Sequence, residues 1–264
     1  MLEVLGYIFM FIDHIFKFLK MNIKNFNPIL GTFAFPIFAY MAARGFRKTK
    51  DKDKYVKRVL FFAFASQIPY ILMIYGIPNV SNVQNIWEKI IFILAHYTQT
   101  LNVGFTILLG LLLIKKLKNK NENTFNKVLF TIICFILAQM LKIDYKAYGI
   151  ALILLFYYVK KLPKLILYMT LLNASNVLFT YFLAKINRAE KIYMSTRNVI
   201  GILIVPVIYY LGIKLENKTV IKKTNITNSK KKEKRKKIIL KILKYSIYPV
   251  HMLLIFIFNY FNVF

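Results

Sequence analysis

Two ionisable residues stand where an apolar stretch should not tolerate them. Residues 4–20 are otherwise almost uniformly apolar, yet they carry Asp13 and His14. A charged Asp at the centre of a lipid-embedded helix costs roughly 2.5–3.5 kcal/mol on insertion scales, so such groups mark chemistry by default. Adjacent helical residues point about 100° apart, and Asp13 and His14 therefore cannot simply pair with each other. Asp13 is placed i,i+4 from Lys17, which suits an ion pair. His14 has only Met10, Phe11 and Phe18 on its own face. Its partner must come from another helix or a water-filled cavity. Imidazole ionises near neutrality, which fits His14 for general-base work.

Four other polar groups interrupt apolar runs. Ser66-Gln67-Ile68-Pro69 lies inside the run 59–87. There the proline frees a backbone carbonyl, and Ser66 and Gln67 offer donors and acceptors. A kinked helix and a ligand site both fit this pattern. Asn102 and Thr106 share a helical face in Asn102-Val103-Gly104-Phe105-Thr106, and Gly104 and Gly110 permit close helix approach. Asp144 and Tyr145 open a short polar turn ending at Gly149, expected at the same edge. Tyr248-Pro249-Val250-His251 places a proline in the first turn of the last helix and His251 just inside its inner end. The candidate catalytic residues are thus Asp13, His14 and His251, and the candidate substrate contacts are Ser66, Gln67, Asn102, Thr106, Asp144, Tyr145 and Tyr248. His14 is expected in the outer half of its helix and His251 in the inner half, so one site need not hold both. His96 reads as structural. Cys134 is the single cysteine, which excludes a disulfide framework and a cysteine metal site, and three His residues leave little for any other metal.

The elements that must position these residues follow from composition. The 264 residues are 58% apolar and carry a net charge of +29, from 39 Lys+Arg against 10 Asp+Glu. Soluble domains run near 45–50% apolar. High hydrophobicity with high charge implies segregation into apolar spans and basic loops, excluding a water-soluble enzyme and a disordered polycation. Scattered basic loops also argue against a nucleic-acid partner. Lys outnumbers Arg 33 to 6, an AT-rich codon habit that points to a bacterial plasma membrane protein. Apolar runs at 4–20, 26–43, 59–87, 90–114, 128–141, 147–159, 165–184, 198–213 and 245–264 predict an all-α, polytopic membrane bundle of about nine transmembrane helices, eight to ten being possible. The stretch 59–114 has room for two spans and a short interfacial or re-entrant helix near 86–97. The first run lacks the basic n-region and cleavage site of a signal peptide. Loops 47–58, 115–127, 160–164 and 214–244 carry 28 Lys+Arg against 10 on the opposite side, which sets the N-terminus inside and the C-terminus outside. The chain reads as one domain, 1–264, with 214–244 as a basic cytoplasmic loop.

Taken in order, several segments resemble the TraX family: Asp13-His14; Ala34-Phe35-Pro36-Ile37-Phe38-Ala39 with Gly45-Phe46; Lys54-Tyr55 through Arg58; and Ser66-Gln67-Ile68-Pro69. Asn102-Val103-Gly104-Phe105-Thr106 with Leu109-Gly110, Asp144-Tyr145 with Gly149, and Tyr248-Pro249-Val250-His251 continue the pattern. The resemblance spans nearly the whole chain. It departs at Thr32, where Arg is common, and at Arg44, where an acidic residue is common. TraX proteins are polytopic membrane proteins named for N-terminal acetylation of conjugative pilin from acetyl-CoA. The resemblance therefore implies an acetyl- or acyltransferase without a metal, working among membrane lipid on a peptide N-terminus or an envelope glycan. In that reading His14 is the general base, supported by Asp13 or Asp144. Asn102, Gln67 or Tyr248 would face the oxyanion, and His251 the donor or its leaving thiolate. A proton-coupled transporter or flippase, or a non-catalytic membrane assembly protein, are the competing classes.

Overall fold

Every apolar run that falls within the described residues becomes an α-helix. The computed structural model describes residues 2–18, 33–76, 86–186, 210 and 230–261. Within them the protein is all-helical, with no strand and one isolated parallel bridge between Leu101 and Ile143. The helices are α1 (Leu2–Phe18), α2 (Ala34–Lys48), α3 (Lys52–Tyr75), α4 (Ile86–His96), α5 (Val103–Lys118), α6 (Thr124–Met140), α7 (Lys146–Tyr158), α8 (Leu162–Ile186) and α9 (Lys230–Tyr260). The span expected at 198–213 lies outside the described residues except for Tyr210, and so does 214–229 of the basic loop.

Side-chain caps set several boundaries. Asp51 accepts from Lys54 N at 2.9 Å, Asn102 from Gly104 N at 2.8 Å and Asn123 from Asn126 N at 2.7 Å, each satisfying an orphan donor of a first turn. These hydrogen bonds to Lys54 hold the Asp51 carboxylate below its usual range. Gly76, at φ 66°, ends α3 in a conformation that favours glycine. The short helix expected near 86–97 is α4, and α3 stops at Tyr75 well before it.

The last helix differs from expectation. Residues 230–244, read as part of a loop, form the first half of α9, because their Lys-, Arg-, Leu- and Ile-rich sequence is compatible with continuous helix. Pro249 therefore lies in the helix interior and not in its first turn. Among the described residues α3 is the one helix both long and apolar enough to cross a membrane by length and composition, whereas α6 and α7 are apolar but shorter. A 13-residue helix such as α7 rises about 20 Å, less than a bilayer core of ~30 Å.

Six helices close into a ring: α1 packs on α2, α2 on α7, α7 on α5, α5 on α3, α3 on α9, and α9 returns to α1. α6 lies outside against α5 and α7, and α8 against α7. Along α6, Phe125, Leu129, Ile132, Ile136 and Met140 are exposed.

The ring has two chemically distinct ends. At one, Arg47 donates to the carbonyls of Phe156 and Tyr157, capping the C-terminus of α7. Lys52 does the same for α2 through Phe46 O and Thr49 O. Lys115 pairs with Asp53, Lys116 with Glu122 at 2.6 Å, and Lys244 with Glu3. This end gathers basic residues of α2, α3 and α5, with Lys244 of α9. At the other end meet the start of α5, the turn before α7 and the second half of α3. Close contact there depends on Gly104, where an added Cβ would stand 2.8 Å from Ala63 Cα on α3. Backbone cannot yield as a side-chain tip can. Gly104→Ala is therefore expected to cost about 1–3 kcal/mol, read as a lowered thermal midpoint in detergent.

Candidate functional site

α1 and α9 run side by side in the same direction. Near the basic end Tyr7 donates to Lys244 O at 3.0 Å and Lys244 pairs with Glu3. Further along, the His14 and His251 rings lie nearly parallel, 4.9 Å apart, with His14 Nδ1 2.6 Å from His251 Nε2. The two residues whose depths looked incompatible are thus hydrogen-bonded to each other. The long α9 explains this: seven residues, about 10 Å of rise, separate Lys244 from His251.

The proton positions in the pair follow from its surroundings. His251 Nδ1 lies 3.1 Å from Ile247 O, and a carbonyl can only accept. Neutral His251 therefore carries its proton on Nδ1 and its lone pair on Nε2. That lone pair accepts from His14 Nδ1–H, which leaves the basic lone pair of His14 on Nε2. His251 is 1% exposed, packed between the rings of Phe11 at 4.9 Å and Tyr248 at 5.5 Å. His14 is half-buried and Asp13 is buried. The Asp13–Lys17 pairing cannot be followed, since the Lys17 side chain lies outside the described residues.

The second group of polar residues divides into committed and uncommitted members. Gln67 Nε2 donates to Tyr97 O at 2.8 Å and Thr100 O at 2.7 Å. Its Oε1 accepts from Asn102 N at 3.1 Å and Asn102 Nδ2 at 2.8 Å. Asn102 Nδ2 also donates to Ala63 O at 2.8 Å. Every amide hydrogen of the two side chains is used, which ties the α4–α5 connection to α3 beside Pro69. They have no donor left for a substrate. Thr106 donates to Asp144 O, and Asp144 N donates to Leu101 O at 2.8 Å, fixing the turn that carries Asp144 and Tyr145. That turn is strained: Lys142, Tyr145 and Lys146 have φ of 46°, 63° and 45°, in the left-handed region. The Tyr145 ring stacks on Phe35 at 3.8 Å.

Ser66 and Tyr248 differ from these. Ser66 is 0% and Tyr248 6% exposed, and neither hydroxyl has a hydrogen-bond partner. Ser66 sits between Phe62 and Tyr70 on one face of α3, at the spacing of four that stacks residues along a helix. The Phe62 ring lies 5.5 Å from that of Tyr248, and the Tyr248 phenol has Asp144, Tyr70 and Tyr145 as electrostatic neighbours. Phe62 and Tyr70 escaped the sequence reading, although the four-residue repeat around Ser66 was there to find. His96, read as structural, meets Phe92 O at 2.8 Å and the Tyr75 ring at 4.7 Å. Among the described residues no group of three or more His, Cys, Asp or Glu is placed to hold a metal ion.

The committed and uncommitted sets should respond oppositely to truncation. Asn102→Ala strands Gln67 Oε1 and Ala63 O and is expected to cost about 1–3 kcal/mol or more, whereas Ser66→Ala removes an unsatisfied group and should leave stability unchanged or raised. Denaturation midpoints of the two variants check this.

In comparisons with known proteins, the family model described as TraX protein matches residues 1–259. No curated protein and no solved structure matches the chain.

Proposed function

The chain belongs to the TraX family, and from that premise we propose that it is a membrane-embedded acyltransferase moving an acetyl group from acetyl-CoA to an amine or hydroxyl acceptor. The observation that carries the reading is the imidazole pair, with His14 Nδ1 2.6 Å from His251 Nε2. His251 acts as the positioning residue and His14 as the base. The acceptor, a peptide N-terminus or an envelope glycan hydroxyl, gives its proton to His14 Nε2 as its nitrogen or oxygen bonds to the thioester carbonyl carbon. Collapse of the tetrahedral intermediate breaks the C–S bond. The thiolate leaves and takes the proton back from His14, so base and acid are one residue. A buried neutral acceptor at His14 Nδ1 favours this cycle, because it stabilises the imidazolium without a competing charge. Asp13, next to His14 in sequence, is buried on the same helix.

The membrane reading rests on the exposed apolar stripe of α6 and on the separation of basic residues to one end of the ring. The basic end faces the cytoplasm in this account. There burial, with Arg44 and Arg47 nearby, pulls the Lys48 ammonium below its usual range, and that cation-rich end would attract the phosphates of CoA. Ser66 lies eight residues, about 12 Å, beyond Arg58 along α3, so the reacting groups sit deeper than the cations.

The test is release of CoA thiol from acetyl-CoA by detergent-purified protein, with a short peptide bearing a free N-terminus as acceptor. His14→Ala should lower turnover at least 100-fold in protein that still folds, with a thermal midpoint lowered because His251 Nε2 loses its partner; His14→Gln, which can still donate to His251 Nε2, should recover stability but not turnover. His251→Leu should lower it about 10- to 100-fold, and His251→Gln, which can still accept from His14, should restore most of the loss. Undiminished turnover in His14→Ala would overturn the reading. Solute or proton movement that needs His14 but no acyl donor would favour a transporter instead.

A further inference from the structure

Beside the imidazole pair the protein buries donors that it does not itself use. Ser66 Oγ and the Tyr248 hydroxyl are both enclosed and both lack a partner, on facing surfaces of α3 and α9. Alanine and phenylalanine would fill the same space without burying an unpaired hydroxyl, so packing alone does not account for them. The start of α5 adjoins them: Val103, its first residue, packs against the apolar cluster that contains Tyr70 and Tyr248, and the next two amides are capped by Asn102, Gly104 N by its Oδ1 and Phe105 N by its carbonyl at 3.0 Å. The Tyr248 ring lies 5.5 Å from the His251 ring, so this donor set adjoins the imidazole pair.

We propose that Ser66 and Tyr248, backed by the N-terminus of α5, form the binding site for the acyl carbonyl oxygen. This rests on the acyl-transfer reading and adds the groups that hold the thioester. A carbonyl oxygen accepts two hydrogen bonds, and the site supplies two hydroxyl donors. When the acceptor atom bonds to the carbonyl carbon, the π electron pair moves onto that oxygen. The two hydroxyls and the positive end of the α5 dipole then face a full negative charge in a site shielded from water. Return of the pair re-forms C=O and expels the thiolate, which is protonated by His14. The amides of Gln67 and Asn102 take no part, because their hydrogens are committed to backbone carbonyls and to each other.

The hydroxyls touch the acetyl group and nothing else of the donor, so they should separate acetyl-CoA from CoA. Equilibrium binding of acetyl-CoA carrying a ¹³C carbonyl, and of CoA, is measured on full-length protein in detergent. The proteins compared are wild type, Ser66→Ala, Tyr248→Phe and the double variant. Wild type should hold acetyl-CoA about tenfold more tightly than CoA, with the ¹³C=O infrared band shifted to lower frequency on binding. Each single variant should lose part of that preference and shift and the double variant all of it, with CoA affinity unchanged throughout. A preference and band shift that survive in the double variant would overturn the assignment while leaving the acyl-transfer reading intact. Absence of saturable binding of either compound to folded wild-type protein would overturn both.

Discussion

One contact closes the molecule on itself. His14 and His251 lie 237 residues apart, and their hydrogen bond sits on the seam where α9 returns to α1 to complete the ring of six helices. The seam is laddered along its length by Glu3 with Lys244, Tyr7 with Lys244 O, and the two imidazoles. A buried imidazole needs partners for both nitrogens, since an unmet polar group in a medium without water costs several kcal/mol. His251 finds one in the carbonyl of Ile247 on its own helix and the other across the seam. The pairing that makes His14 a base thus also sets the register of α1 against α9.

Around that seam the protein sorts its polar groups by whether they hold the fold or face inward unpaired. Gln67, Asn102 and Thr106 are saturated by backbone groups and secure the connections at one end of the ring. Arg47 and Lys52 do the corresponding work at the other end, closing the C-termini of α7 and α2. Ser66 and Tyr248, equally buried, are left unpaired in the seam between α3 and α9. The left-handed backbone at Tyr145 belongs with them. Positive φ in a residue with a large side chain is unfavourable and persists only where packing enforces it. Here the ring stacked on Phe35 and the Thr106 hydrogen bond to Asp144 O do so.

Much of this was open to reading from the residues. Apolar runs gave the helices, the length of the stretch 59–114 left room for the short α4, and Gly104 announced a close approach that turns out to be against Ala63. That His14 needed a partner from another helix followed from the apolar character of its own face. What stayed hidden depended on register and on backbone partners. Treating Pro249 as a helix start placed His251 near the inner surface, although the basic segment before it continues the helix. Gln67 and Asn102 looked like substrate contacts because their partners, the carbonyls of Tyr97, Thr100 and Ala63, have no side-chain signature.

The account turns on the hydrogen bond between the two imidazoles, and nitrogen NMR observes it directly. In protein labelled with ¹⁵N at histidine and carrying His96→Gln, the account predicts a scalar coupling through the hydrogen bond between His14 Nδ1 and His251 Nε2. It also predicts a His251 tautomer protonated at Nδ1. Two uncoupled rings that titrate independently, or a His251 protonated at Nε2, would contradict it.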